Sequence, residues 1–279
     1  MKLPFTKMQG CGNDYIYIDC FRETVKDPGK LAIKLSDRHF SVGGDGVVLI
    51  CPSDRADARM RMFNADGSEG RMCGNAIRCV GKYVYEHGYC AKDTLTIDTL
   101  SGIKTLRLAV KDGKAVAARV DMGAAGFRPK DIPVLSDGER VVNQPLEVLG
   151  RTYHITCVSM GTPHCVSFVE DPQSFPLETV GPVFERHPMF PDRVNAEFAR
   201  VLDRRTIEMR VWERGSGETL ACGTGACATA AAAIACGYCD ADTDIDVRLR
   251  GGVLTIRVTA DTVFMTGPAE VAFEGFVEG

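Results

Sequence analysis

The chain's 279 residues are enough for two domains of ordinary size, each with its own core. Its 33 Lys and Arg against 37 Asp and Glu give a net charge of -4, and the interspersed signs leave no basic stripe for nucleic acid and no cationic amphipathic helix for a membrane surface. No apolar run approaches the roughly 20 residues of a membrane span, and MKLPFTKMQG lacks a signal-peptide core, so the expectation is a cytoplasmic protein with small, neutral or zwitterionic partners, whose twelve cysteines are free thiols, most of them structural.

In chain order, LPFTKMQ reads as a strand, GCGND as a polar turn, and YIYID as a second strand of period two. Asp27 to Ser36 reads as a short helix, SVGGDGVVLI as a glycine turn entering a buried strand, and ARMRMF as a half-exposed strand. A loop NADGSEGR then leads to a helix from Cys73 to about His87, with Ala76, Val80, Tyr83 and Val84 on one face and Gly88 as the C-cap. Three strands follow, TLTIDTL, GIKTLRLAV and AVAARVDMG.

Gly123 to Leu135 reads as the crossover to a second half on the same plan. There YHITCVSM and CVSFVE are strands, residues 177–199 hold a short helix and a turn DRVNAEF, and TIEMRVWE is the counterpart of ARMRMF. Cys222 to Cys236 is the second helix, followed by strands DIDVRLR, GGVLTIRV and TVFMTG. AEVAFEGFVEG has no match in the first half and is expected to return as a strand to the first domain. The boundaries are therefore 1–122 plus 266–279 for one domain and 123–265 for the other.

The halves align at an offset of 149, which is 222 minus 73. Arg61 then falls on Arg210, Phe63 on Trp212, Glu69 on Glu218, Cys73 on Cys222, Gly74 on Gly223, Gly88 on Gly237 and Tyr89 on Tyr238. Each half thus places a cysteine at the start of a helix, after a glycine-rich turn. Unpaired N–H groups and the positive end of the dipole make such a start an anion site and depress a thiol pKa.

Two equivalent thiols suit inversion of a stereocentre, one removing a proton from one face of a carbon while the other delivers a proton to the opposite face. If the amino-acid α-C–H lies roughly a dozen pKa units above a thiol at ~8.5, transfer is uphill by about 16 kcal/mol. Such a barrier permits only about ten turnovers per second with no intrinsic cost added. Two helix N-termini aimed at the substrate carboxylate could hold the developing charge. No lysine sits in a recognisable pyridoxal-phosphate motif, so no cofactor is expected. Cys236 and Cys239 form a single CxxC without the second pair of a zinc ribbon, and His39, His87, His154, His164 and His187 include no close ligand pair, so no metal is expected either.

GCGNDY from Gly10, NADGSE from Asn64, MCGNAIRC around Cys73, GTPHCV from Gly161 and ERGSGETLACGTGA from Glu213 occur in this order and together resemble diaminopimelate epimerases over essentially the whole chain. The resemblance implies an α/β (α+β) fold of two pseudo-symmetric domains, each a curved, mostly antiparallel sheet wrapped around a central helix, with the active site in the cleft between them. It implies a cofactor-independent isomerase that interconverts LL- and meso-diaminopimelate in lysine and peptidoglycan precursor synthesis, and a homodimer. By the same resemblance Cys73 and Cys222 are the acid and base, and His164 and Glu213 set their protonation. The N–H groups of Gly74, Asn75, Gly223 and Thr224 hold the reacting carboxylate, while Asn13, Asn64, Asn195, Glu213 and Arg214 bind the distal amino-acid centre.

Two positions depart from the family pattern. Thr162 stands where GNPH would place asparagine, and Gly46 stands where a glutamine is sometimes found. The sequence is also compatible with two other readings, a proline or hydroxyproline racemase and a thiol protein that binds metal or does redox chemistry. By residue type alone the asparagines are turn formers, and Cys79, Cys227, Cys236 and Cys239 are packing residues.

Overall fold

The computed structural model describes residues 2–278. It divides into two compact units, Met1–Asp121 with Thr266–Gly279, and Met122–Met265. The first contains β1 (Lys2–Gly10), β2 (Asn13–Asp19), α1 (Pro28–Ser36), β3 (Gly46–Cys51), β4 (Ala58–Asn64), β5 (Glu69–Gly70), α2 (Gly74–Glu86), β6 (Thr94–Thr99), β7 (Gly102–Lys111) and β8 (Lys114–Asp121). The second contains β9 (Gln144–Val148), β10 (Arg151–Ser159), β11 (Pro163–Phe168), α3 (Leu177–Glu185), β12 (Asn195–Asp203), β13 (Thr206–Glu213), β14 (Gly217–Thr219), α4 (Gly223–Ala235), β15 (Asp244–Leu249) and β16 (Gly252–Val258). The chain re-enters the first unit within β17 (Val263–Pro268), and β18 (Glu270–Glu278) pairs antiparallel with β1, with Leu3 opposite Val277.

Strand pairing repeats between the units. β2 runs parallel to β3, β3 antiparallel to β4 and β4 parallel to β6, just as β11 runs parallel to β12, β12 antiparallel to β13 and β13 parallel to β15. The flanking pairs, β1 on β2, β10 on β11, β6 on β7 and β15 on β16, are all antiparallel. Each sheet is thus mixed, with mostly antiparallel pairs.

Central strands are apolar on both faces because each face is covered by a helix. In β2, Ile16 and Ile18 join the cluster around Ala32 and Leu35 of α1, whereas Tyr17, pointing the other way, donates its hydroxyl proton to the Ala76 carbonyl of α2 at 3.3 Å. α2 packs against β1, β2, β7 and β8, and α4 against β10, β11, β12 and β16. A helix covered this widely must be small or apolar almost all round, and α4, GTGACATAAAAIA, is buried at ten positions from Gly223 to Ala233. α1 starts as its sequence indicates, with Asp27 accepting from Lys30 N at 3.1 Å and Pro28 in the first turn.

One expectation changes. The segment DRVNAEF is not all turn: the turn is made at Arg193, with φ +61°, and Asn195 to Phe198 already belong to β12, where Ala196 and Phe198 are fully buried. The crossover Gly123 to Leu135 is also part of the second unit's core, which Ile132 and Val134 enter, followed by Val141 just beyond it. Strand β9, ahead of β10, was not evident in the sequence because Pro145 interrupts the strand pattern.

Phe184 of α3 anchors that core edge-on to Tyr153 and Phe198, at centroid distances of 5.2 and 5.0 Å. Phe184→Ala is expected to cost about 3–5 kcal/mol in urea denaturation; a loss below ~1 kcal/mol would show that the site collapses onto the cavity.

Candidate active site

Both cysteines cap their helices. Cys73, half-buried with φ −130° and ψ 122°, accepts from Ala76 N at 3.5 Å, and Cys222, buried with φ −121° and ψ 110°, accepts from Gly225 N at 3.4 Å. Ala76 and Gly225 are themselves 149 apart, so the cap geometry follows the repeat. The repeat also carries the ion pair that supports the approach to each cap. Arg61 grips Glu69 at 2.8 and 3.0 Å, and Arg210 grips Glu218 at the same 2.8 and 3.0 Å. Both helices end before a glycine in the left-handed region, Gly88 at φ +75° and Gly237 at φ +78°.

In the first unit, Cys73 Sγ lies 3.3 Å from Asn13 Oδ1. The Asn13 amide donates to Asp45 Oδ2 at 2.6 Å, which turns its oxygen toward the thiol, and Arg38 holds Asp45 at 2.9 Å. Gly74 and Asn75 are buried at the helix start. Asn64 closes its own turn, bonding Ser68 Oγ at 3.0 Å, and pairs in register with Gly46. The Gly46 departure has a steric reason, because a Cβ there would lie 2.0 Å from the Phe63 carbonyl oxygen. Sequence reading overlooked Arg78. Wholly buried, it donates to the Gly74 carbonyl, Asn75 Oδ1 and the Pro268 carbonyl, each at 3.0 Å, tying the first turn of α2 to the returning C-terminal strands. Its signal was a lone cation four residues after the helix start, amid apolar neighbours.

In the second unit, Cys222 Sγ is 3.5 Å from Thr224 Oγ1, which is 3.5 Å from Thr162 Oγ1. Thr162 meets His164 Nε2 at 2.9 Å, and His164 Nδ1 meets Glu197 Oε1 at 2.6 Å, both of those side chains being fully buried. Burial pushes the Cys222 thiol well above its ordinary pKa, and the nearby Glu213 and Glu197 carboxylates push it further, so the thiol keeps its proton. Burial also raises Glu197, against the pull of His164. Asn195 bridges, with its amide on the Pro163 carbonyl at 3.2 Å and its oxygen accepting from Arg214 N at 2.8 Å. Thr219 donates to Glu213 Oε1 at 2.5 Å, and exposed Arg214 donates to the Asp192 carbonyl at 2.9 Å. Buried Glu185, also overlooked, accepts from Trp212 Nε1 at 2.8 Å and from Gly215 N at 3.0 Å, fixing the turn after Glu213.

Within each unit the structure therefore gathers a capping thiol, a helix start and hydrogen-bonding side chains from neighbouring strand ends. Cys236 is remote from that chemistry in its bonding, contacting Thr156 Oγ1 at 3.4 Å, and no disulfide joins any of the cysteines.

Two α/β units with this repeated strand order form a fold found in other solved proteins: a probable proline racemase from Agrobacterium radiobacter superposes with a TM-score of 0.72 at 14% identity, over 99% of this chain and 93% of that one, and a PhzF-family phenazine biosynthesis protein from Bacillus anthracis with a TM-score of 0.72 at 18% identity, over 100% of both chains. The sequence is more specific. The pattern of the diaminopimelate epimerase family matches residues 5–127 and 156–272, and the chain belongs to that family. It is 55% identical to a diaminopimelate epimerase of Acetivibrio thermocellus over 278 residues, covering 99% of both chains. To another of Desulfovibrio desulfuricans it is 54% identical over 281 residues, covering 98% of this chain and 97% of that one.

Arg78→Leu is expected to destabilise the protein by on the order of 3 kcal/mol or more in urea denaturation, because it strands buried acceptors at Gly74, Asn75 and Pro268. Arg78→Lys should recover only part of this, since an ammonium cannot reproduce the planar fork.

Proposed function

We propose that this protein interconverts LL- and meso-diaminopimelate without a cofactor, as an isomerase of lysine and peptidoglycan precursor synthesis. The observation that carries the reading is the matched pair of capping thiols, Cys73 on Ala76 N and Cys222 on Gly225 N, each beside buried helix-start amides. One thiol removes the α-proton and the other supplies a proton to the opposite face. Cys222, held protonated by burial and by Glu213 and Glu197, is the acid of the resting enzyme. The N–H groups of Gly74, Asn75, Gly223 and Thr224 bind the reacting carboxylate and stabilise the charge that develops beside it.

The distal amino-acid centre falls to Asn13, Asn64, Asn195, Glu213 and Arg214. A proline ring has no such centre, and this polar set would be superfluous for it. His164 and Glu213 tune the thiols. Each of the two domains, 1–122 with 266–279 and 123–265, supplies one of the two thiols. A cytoplasmic homodimer is part of the same proposal.

Solvent deuterium should wash into Cα of diaminopimelate with purified protein and no added cofactor, and not into proline; the reverse preference would assign the protein to the proline racemases. Cys73→Ala and Cys222→Ala should each lower epimerisation by on the order of 10²–10⁴-fold, and turnover retained in either variant refutes the two-thiol mechanism. Because Glu213 raises the Cys222 pKa, Glu213→Gln should move the alkaline limb of kcat/KM to lower pH. Substrate titration is common to both enzymes, so an unmoved limb would remove Glu213 from control of that thiol.

A further inference from the structure

Of the chain's twelve cysteines the proposed function uses two, and among the rest Cys20 and Cys51 are brought together by the sheet. β2 and β3 run parallel with Asp19 opposite Ile50, and 50 minus 19 gives an offset of 31 that sets Cys20 opposite Cys51. The ladder continues one bond past β2, from Cys20 N to the Ile50 carbonyl at 2.8 Å, and stops there because Pro52 has no N–H to return it. With a period of two, Cys20 follows Ile16 and Ile18 on one face, and Cys51 follows Val47 and Leu49 on that same face. Both cysteines pack against the cluster that those four residues form with Ala32 and Leu35 of α1. Neighbouring strands lie about 4.8 Å apart, inside the roughly 4.4–6.8 Å between Cα atoms that a disulfide spans. Both thiols are half-buried, within reach of a small solute.

Their surroundings make the two thiols unequal. On β4, Arg59 stands opposite Cys51 and Arg61 opposite Leu49, so two guanidinium groups flank one thiol. A hydrogen bond from Cys20 lowers the Cys51 pKa; burial opposes that shift, and Arg61 and Arg59 reinforce it. The same bond, together with burial, raises the pKa of Cys20. Cys51 is thus the nucleophile and Cys20 the second thiol held beside it. Cys157 and Cys165 provide the contrast. They too stand opposite each other, on β10 and β11, but both lie buried in the second unit's core, and burial raises the Cys165 thiol well above its ordinary pKa. We infer that Cys20 and Cys51 form a dithiol reactive toward small hydroperoxides, a modification site outside the pair of capping thiols that closes to a disulfide on oxidation.

The Cys51 thiolate attacks one oxygen of the hydroperoxide: an S–O bond forms, the O–O bond breaks, and the departing oxygen takes a proton and leaves as water or an alcohol. Cys51, oxidised by two electrons, is then a sulfenic acid, and the peroxide has been reduced. Oxidation removes the thiolate to which Cys20 was bonded, and with it the main cause of the raised Cys20 pKa. Cys20 then loses its proton and its sulfur attacks that of Cys51. The S–S bond forms, the S–O bond breaks, and the departing hydroxide takes up a proton as water. In sum, two thiols and one hydrogen peroxide give one disulfide and two waters. A dithiol reductant restores both thiols by exchange. The chemistry is independent of the epimerase reaction, since it involves neither Cys73 nor Cys222.

The test treats reduced wild-type protein with a small excess of hydrogen peroxide at neutral pH, blocks the remaining thiols with N-ethylmaleimide under denaturing conditions, and analyses unreduced peptides by mass spectrometry. Expected is a peptide pair linked through Cys20 and Cys51 and separated by dithiothreitol, with Cys157 and Cys165 recovered as blocked thiols. In Cys20→Ser, dimedone should capture a sulfenic acid at Cys51. In Cys51→Ser, oxidation of Cys20 should slow by on the order of tenfold or more. Absence of the linked peptide from folded wild-type protein overturns the inference without any variant, as does oxidation of Cys20 that is as fast without Cys51 as with it. A Cys157–Cys165 link formed at the same rate would also overturn it, by showing that strand pairing and not the flanked thiolate governs oxidation.

Discussion

Everything else in each unit depends on how its central helix starts, and both of these helices start on an unusual cap. Serine, threonine, aspartate or asparagine would satisfy the first N–H groups best, whereas a thiol is a weak acceptor. This chain uses cysteine at both helix starts, with Sγ to N–H distances of 3.5 and 3.4 Å. The surrounding structure must therefore hold the ends that the caps hold poorly. In the first unit Arg78 does so from inside the helix, binding the carbonyl of Gly74 and the side chain of Asn75. In the second, α4 is buried along nearly its whole length among strands, and small residues let those strands approach.

The two units solve the same problem with different surroundings. Their strand order, their caps and their Arg–Glu pairs repeat, but the groups facing the thiols do not. Cys73 meets an asparagine oriented by Asp45 and Arg38, at a half-buried position. Cys222 is buried, with the Glu213 and Glu197 carboxylates near enough to act on it and the Thr224 hydroxyl 3.5 Å away. Repetition supplies two thiols of one kind, and the divergent neighbours give them different surroundings.

Thr162 shows how a departure in sequence becomes intelligible only in place. In the fold its hydroxyl meets His164 Nε2 at 2.9 Å and donates to Thr224 Oγ1 at 3.5 Å, contacts that no neighbour in the chain announces. Gly46 is a simpler case, excluded from bearing any side chain by the Phe63 carbonyl.

By itself the sequence determined the internal repeat, most strands and helices, the helix starts at both cysteines and the family, because those rest on local periodicity, glycine turns and short motifs. It also pointed to Asn13, Asn195, His164, Glu213 and Arg214, whose neighbours in the chain carry the motif. What only the tertiary structure decided was the company each of these keeps. Arg78, Asp45, Glu185 and Glu197 lie between 12 and 152 residues from one another, and each reads locally as an ordinary charge on a strand, helix or turn. Their roles come from burial and from contacts across adjacent strands, and the cost of burying a charge without a partner is a property of the folded core that no local pattern records.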